Sequence, residues 1–516
     1  MQQSQSKQQV GGILGFIERI GNKIPDITIL FISAFILVCV VSAVLAQIHF
    51  NYVHPATGRP IEITNMLSGK ALVDLMSKMV TNYANFPPLS MVIVATLGIG
   101  IADGSGYINT GLKKILSITP KVLITPVVIL VGMLSHLGPD SGYVIIIPIA
   151  AYMFYAVGKH PLAGIAASFA GIAGAFAANY TPSAIDPVIQ GFTQSAAQII
   201  DPGYQVNVLC NYFYAFASTF IVIGACWWVT EKITNPWLWK ACPIDDDLDL
   251  GNENNSSITP SENRAFKIAT AVLLLMLTGL AAALYPADSI MRAPDGVIAS
   301  FKAPIMQSIV SLIFIFAALV GLVYGIACGK FKSPKDVTAA MEEITKTLVQ
   351  LIVFYFFAAQ FLYAFGASNM GALIAVSGAE FLKSLNLPPQ VTVFGIIVFV
   401  ALLNLIITSA SAKWAILAPI FVPMLMAVGI APELTQVAFR VSDSAVNVVT
   451  PMFAFYPLII LYCQKYVKNA GIGTLSSMML PYTIALLVSL TFMLYLFWWL
   501  DIPLGFQADY VYPRRF

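Results

Sequence analysis

From Ile24 to Ala46 the sequence carries one charge, Asp26, in an otherwise apolar run. About 20 such residues, wound as a helix, cover the hydrocarbon core of a bilayer. Similar runs recur along the whole chain, so the fold has to satisfy its backbone hydrogen bonds inside lipid, where helices do so within one segment. Composition agrees. Of 516 residues, 58% are hydrophobic and 10% charged, with a mean hydropathy of +0.81, whereas a soluble domain carries about 25% charged residues. The reading is an all-α polytopic membrane protein. A net charge of +2 argues against nucleic acid as a partner. The six cysteines, Cys39, Cys210, Cys226, Cys242, Cys328 and Cys463, have no metal-ligand spacing and read as inert thiols.

Topology follows from where Lys and Arg gather, the cytoplasmic side. Lys7, Arg19 and Lys23 put a tail, 1–24, inside. A cleavable signal would place its apolar region earlier and follow it with small residues, so the first run is expected to stay in place. Residues 47–88 are expected as an external loop, with a second span from near Leu89 to Lys113 and Lys114. The stretch 122–158 has two arms too short to cross, a tip "SHLGPDSGY", and positive charge at both ends (Lys121, Lys159, His160). That describes a re-entrant hairpin. A span broken at "NYTPSAIDP" (179–187) and another over 206–229 complete a first repeat, about 89–229. An acidic cytoplasmic loop, 231–266, precedes spans near 267–286, 304–328 and 348–366. A second hairpin, 392–430, has the tip "TSASAKW". A broken span, about 433–462, closes a second repeat of about 348–464, and a last span over 479–499 leaves an external tail, 501–516. The expectation is about nine transmembrane helices and two hairpins in one transporter domain, 25–500.

Residues 139–161 and 410–432 align without a gap. Pro148 falls on Pro419, Gly158 on Gly429, Pro161 on Pro432, Tyr143 on Trp414, and Gly142 on Lys413. "NYTP" at 179–182 answers "NVVTP" at 447–451. With one hairpin expected to open inward and the other outward, this is an inverted-topology repeat, the usual construction of secondary transporters. Gly138, Pro139, Pro148, Pro182, Pro419 and Pro451 are the residues expected to build the tips and breaks. Unwound backbone at membrane depth is tolerated where it lines a cavity, and its free groups and helix ends can bind ions or carboxylates.

Charges inside the spans mark candidate sites, because each costs at least about 2.5–3.5 kcal/mol to insert. Asp140 lies at the first tip, Asp186 at the first break, and Lys413 at the second tip. Arg440 and Asp443, three apart, share a helix face and can pair. Arg440 suits a substrate carboxylate through bidentate geometry. Asp443 or Asp186 can carry a proton or help hold a cation. Asn404, Ser411, Trp414, Arg440, Asp443 and Asp140 form the expected substrate set. Asp186, Asn179, Thr181, Ser409, Asp443, Asn447 and Thr450 form the ion-coupling set. His136, near the first tip, reads as packing. No HExxH, GxSxG or phosphate-binding glycine loop occurs, so an enzyme is not expected, nor a resident cofactor or metal; the coupling ion is sodium or a proton.

The "SASAKW" hairpin, "AFRVSDSAVNVVTPMFAFYP" and "NYTPSAIDP" resemble the AbgT family of bacterial transporters over essentially the whole chain, including "IERIGNKIPDITILF" near the start. The resemblance implies a homodimer in the bacterial inner membrane, with nine spans and two hairpins per protomer. It implies transport of p-aminobenzoyl-glutamate, a folate breakdown product, or a related aromatic conjugate. Proton-coupled efflux of sulfonamide antimetabolites is the alternative. It places functional positions on Asp186, Ser411, Trp414, Pro419, Arg440, Asp443 and Pro451.

Overall fold

The computed structural model describes residues 25–54, 58–137, 141–245 and 258–513. Gly138, Pro139 and Asp140 lie outside the described residues, as do residues 246–257 of the acidic loop. Among the described residues the architecture is helical, with two isolated β-bridges.

Asp26 starts helix α1 (Ile27–Leu45), its side chain accepting a hydrogen bond from the Thr28 N–H and thus capping an end that has no intrahelical partner. The stretch expected as a loop contains a helix, α2 (Gly69–Ala84), capped by Ser68. The amphipathic stretch has too many polar residues for a hydropathy reading to count it. It lies against α14 (Val349–Ala367), where its Asp74 accepts from Tyr363, and runs nearly directly into α3 (Pro87–Ser105). After α4 (Tyr107–Ser117) come the arms of the first hairpin, α5 (Ile124–Leu134) and α6 (Ser141–Ala156). The first broken span is α7 (Pro161–Ile172) followed by α8 (Ile185–Ala197). Helix α9 (Tyr212–Val229) passes through a π-turn at Thr230–Thr234 into α10 (Asn235–Ala241).

An outlying pair, α11 (Pro260–Leu284) and α12 (Ile309–Cys328), leans on α3. Between this pair and the core lies an apolar cleft of about 600 Å³ that reaches Thr181 and Pro182. Helix α13 (Pro334–Lys346) is amphipathic and also packs on α3. Helix α15 (Met370–Ser384) meets α16 (Pro389–Asn404) at a bend of 116°. Helix α16 is the first arm of the second hairpin and α17 (Ala410–Met426) the second. The second broken span is α18 (Pro432–Val446) and α19 (Tyr456–Gln464), and α20 (Ile472–Trp499) is last. Neither α13 nor α15 is assigned by hydropathy alone, since α13 carries five charges and α15 is only 15 residues long with Glu380 and Lys383 near its end.

Among the described residues, seven helical stretches are long and apolar enough to cross a bilayer, and the bent pair α15 and α16 passes with them as an eighth. The two broken spans, α7 with α8 and α18 with α19, are interrupted helices in addition to these. In contrast to the sequence reading, α17 continues through Pro419 and Pro423 rather than breaking there, just as α6 continues through Pro148. A membrane helix tolerates the lost N–H when neighbouring helices re-satisfy the freed carbonyl. The real interruptions are the segments 173–184 and 447–455, which hold Pro182 and Pro451.

The two halves share one packing plan. Helix α7 touches both arms of the first hairpin, and α18 touches both arms of the second. Each broken span then crosses over: α8 packs on α17 and α18, while α19 packs on α6 and α7. Small residues allow the close approaches. A Cβ on Gly171 of α7 would stand 2.5 Å from the Ile129 carbonyl oxygen of α5, so only glycine lets these backbones touch.

Candidate functional site

The exchange of half-spans brings the first break and both hairpin tips to one place, with Phe453 and Phe455 of the second break packed on Tyr143 of the first tip. A cavity of about 370 Å³ lies there, a size usual for small-molecule sites. Its lining draws on the first tip (Ser135, His136, Gly142, Tyr143), the first break (Phe176, Asn179, Ser183), and Ser411 of the second tip, with α3 and the start of α14 closing the rest. Three helices begin at this cavity: α6 beside Gly142, α8 beside Ser183 and Ile185, and α17 beside Ser411. Helix N-termini carry partial positive charge and unpaired N–H groups. The space is therefore biased toward an anionic ligand.

Behind the cavity wall lies Arg440. Its Nη1 is 2.7 Å from Asp186 Oδ1, its Nη2 donates to the Phe176 carbonyl at 3.3 Å, and its guanidinium sits 5.6 Å from the Phe176 ring centre. Asp186 also accepts from the Ser183 N–H at 2.7 Å and its hydroxyl at 3.0 Å. Both charges are therefore compensated, as buried charges must be. Arg440 Nε has no hydrogen-bond partner among the described residues. A void of about 10 Å³, roughly one water in size, lies beside Arg440 and is bounded by Asn179, Thr181 and Asp186. Asn179 faces both spaces, and its Oδ1 accepts from His136 Nδ1 at 3.2 Å.

The second cluster pairs a buried lysine with a buried carboxylate. Lys413 Nζ is 2.5 Å from Asp443 Oδ1, 1% and 0% of their side chains being exposed. The same ammonium donates to Asn404 Oδ1 and to the Ile407 carbonyl. Asn404 donates to the Asp443 carbonyl at 2.9 Å and to Asn447 Oδ1 at 3.1 Å, and Asn447 donates to Asp443 Oδ2 at 3.2 Å. Lys413 is thus seated among oxygens from α16, the tip and α18. The pairing expected within one helix does not form. Arg440 and Asp443 each take a partner from elsewhere, because two residues three apart on a crossing helix face different neighbours. Lys413 neither reaches water nor borders the cavity.

Trp414 is fully buried. Its ring stacks on Phe439 with centroids 4.5 Å apart, and Nε1 donates to Thr193 Oγ1 at 2.9 Å. One ring face is thereby taken, and Trp414 does not line the cavity. Ser409 caps α17 by accepting from the Ala412 N–H, and Thr450 donates to the Leu405 carbonyl at 2.8 Å. Both hold the second hairpin in shape. Among the expected residues, Asn179 and Ser411 line the cavity, while Asp186, Thr181 and Arg440 stand one layer behind. Asn404, Asp443 and Asn447 form the lysine cluster.

Several residues escaped the sequence reading. Thr193, the acceptor for Trp414, lies 2.6 Å from Gln436 Oε1, and Gln436 donates to Asn211 Oδ1 at 2.7 Å. Asn211 donates to the Glu433 carbonyl, and the buried Glu433 carboxylate accepts from Tyr204. A signal for this chain was present. Glu433, Gln436, Arg440, Asp443 and Asn447 recur at alternating spacings of three and four, a polar stripe along one helix face. His136, read as packing, lines the cavity and bonds the Ile172 carbonyl at 2.6 Å.

Comparison with known proteins gives a consistent result. A family model described as the AbgT putative transporter family matches residues 12–512. The chain is 32% identical over 511 residues to the p-aminobenzoyl-glutamate transport protein of Escherichia coli K12, covering 99% of this chain and 98% of that one. Among solved structures, the Alcanivorax borkumensis YdaH transporter, described as having an unusual topology, aligns with a TM-score of 0.87 at 36% identity, covering 93% of this chain and all of that one. Neisseria gonorrhoeae MtrF, described as illuminating a class of antimetabolite efflux pumps, aligns with a TM-score of 0.90 at 39% identity, covering 96% and 100%. The chain, a multi-pass membrane protein built of two matched hairpin units, belongs to the AbgT family of transporters.

Proposed function

We propose that this transporter moves p-aminobenzoyl-glutamate, or a related aromatic amino-acid conjugate, across the bacterial inner membrane by alternating access. The observation that carries the reading is the cavity of about 370 Å³ on which three helix N-termini converge. A glutamate carboxylate complements those N-termini, and the aminobenzoyl ring complements Tyr143, Phe176 and His136 in the same lining. Deeper entry of a carboxylate sets it against Asp186 for Arg440, so binding and release of that pair become linked to the ligand. The ligand leaves chemically unchanged; no covalent step is involved. The N-terminus is cytoplasmic, the two repeats are inverted, and two protomers form a dimer.

A cation gradient drives the cycle. The carboxylate of Asp443 neutralises one positive charge, and Lys413 supplies it in this conformation. A sodium ion or proton arriving at Asp443 competes with the Lys413 ammonium and frees the second tip to move. The donors around it, the Asn404 and Ile407 oxygens and the carboxylate, are the hard oxygen ligands that a sodium ion takes.

The second reading, proton-coupled efflux of sulfonamides, is favoured by the similarity to MtrF. One experiment decides among these. Purified protein in liposomes is given labelled p-aminobenzoyl-glutamate under an imposed sodium or proton gradient. Uphill accumulation of intact substrate under one gradient names the ion. Accumulation without any gradient, or appearance of p-aminobenzoate, overturns the proposal. Transport of a sulfonamide alone, against an inward proton gradient, selects the efflux reading.

A further inference from the structure

At the feet of the first hairpin, remote from the substrate cavity, a groove of about 620 Å³ is lined by Lys121, Lys159, Lys232, Glu231, Trp227 and Trp228, with Gly224 in its floor. Lys121 precedes α5, Lys159 follows α6, and the others lie where α9 enters its π-turn. Charge here is unbalanced. Glu231 is taken by Lys159 at 2.5 Å and by the Thr125 hydroxyl at 2.6 Å. Lys121 and Lys232 have no ion-pair partner among the described residues and are exposed. Trp227 and Trp228 are 37% and 58% exposed, and Trp237 and Trp239 continue the exposed aromatic series along α10. Exposed tryptophans grouped with lysines at one end of an apolar helix mark the headgroup layer of a membrane. A Cβ built on Gly224 meets nothing within 4 Å, so the groove stays open along the lipid-facing side of α9.

We propose that this groove binds an anionic phospholipid, its phosphate between Lys121 and Lys232 and an acyl chain along Gly224 and Val157. Two unpaired ammonium groups beside interfacial tryptophans match a phosphodiester with an attached chain, and basic pockets between helices bind such headgroups. A lipid seated there joins both feet of the first hairpin to α9. It holds the base about which that hairpin's tip is positioned.

The tryptophans supply the probe. The protein is reconstituted in vesicles of phosphatidylcholine containing either brominated phosphatidylglycerol or brominated phosphatidylcholine, and fluorescence quenching is compared with that of the Trp227→Phe/Trp228→Phe variant. The groove-specific quenching is expected to favour the anionic lipid by roughly 30-fold in relative binding constant, equivalent to about 2 kcal/mol at about 1 kcal/mol per lysine. In Lys121→Gln/Lys232→Gln the preference should fall below about threefold. In Gly224→Leu, which adds a side chain to open space, quenching by both lipids should fall while the melting temperature holds. Equal quenching by the two lipids in the unaltered protein overturns the proposal, as does a preference that survives both lysine changes. Suppression of the preference by millimolar inorganic phosphate assigns the groove to free oxyanions and also overturns it. Because the readout is lipid contact, it stands or fails independently of the substrate and the coupling ion.

Discussion

The two hairpins share a sequence pattern and a packing plan, yet their tips do opposite things. At the first tip Gly142 borders an open cavity, and Tyr143 stacks on Phe455 of the other half at 4.2 Å. At the second tip the aligned residues are Lys413 and Trp414, both buried and tied to α18 and α8. Each aromatic reaches across to the opposite broken span, so the duplicated architecture persists. The charge does not. The first tip lines most of the ligand space, while the second reaches it with Ser411 and is held in place by an ion pair, an asymmetry that suits an alternating cycle in any one conformation.

If the Lys413–Asp443 pair locks the second tip, breaking it on one side should produce the largest effect. Lys413→Met leaves the Asp443 carboxylate buried against neutral amides and should cost about 3–5 kcal/mol of stability. Replacing both, Lys413→Met with Asp443→Leu, should recover most of that while abolishing coupled transport. Thermal unfolding of the purified proteins, arranged as a double-mutant cycle, measures it. A single variant as stable as the parent would mean the tip is not locked by charge.

The pair that joins the halves comes next. Arg440→Gln removes the partner of Asp186 but leaves the two Ser183 hydrogen bonds in place. A loss of about 2–4 kcal/mol is expected, smaller than at Lys413 because Asp186 keeps those donors. Labelled-substrate binding and melting should both register it. Arg440→Lys, with a point charge in place of a fork, should restore melting more fully than binding. Equal restoration would place Arg440 outside ligand recognition.

Gly142 tests the open side of the comparison. A Cβ there would stand 2.3 Å from Ser135 Oγ and 2.7 Å from its Cβ, so the arms of the first hairpin meet closely at the tip. Gly142→Ala should cost about 1–3 kcal/mol through overpacking and change substrate affinity, since both residues line the cavity. Adding Ser135→Gly should relieve the cost. If the double variant melts no higher than Gly142→Ala alone, the close approach is not what requires glycine.

Much of this was legible in the sequence. Short apolar arms around polar tips announce hairpins, and the matched prolines, glycines and Asn…Thr-Pro elements announce a duplication, because both are local patterns. Pairing across the halves was not legible. Arg440 and Asp443 are neighbours in sequence, but the crossing of broken spans gives Arg440 to Asp186 of the first half, while Asp443 takes Lys413 from the hairpin of its own half. Trp414 likewise reads as a ligand platform because it sits at a tip, yet Phe439 and Thr193 enclose it. Helix α2 was hidden for a different reason: its apolar face is too narrow to raise mean hydropathy, although its spacing is helical. What hydropathy misses in each case is where a neighbour comes from, which is settled by packing.

The smallest effect is expected at Trp414, and it separates structural from ligand-binding use of the second tip. Trp414→Phe keeps an aromatic ring against Phe439 but loses the hydrogen bond to Thr193. That bond is worth about 1 kcal/mol, and Thr193 retains Gln436 as a neighbour. The variant should melt slightly lower and bind substrate nearly as well as the parent, since Trp414 does not line the cavity. Thr193→Val should lower the melting temperature by a similar amount, and the two changes together should cost less than their sum, because each removes the same bond. A loss of substrate affinity greater than about tenfold in Trp414→Phe, without a matching loss of stability, would place the indole at the ligand in another conformation of the cycle. The two tips would then take turns at the substrate, Tyr143 in the state seen here and Trp414 once the Lys413–Asp443 pair has opened.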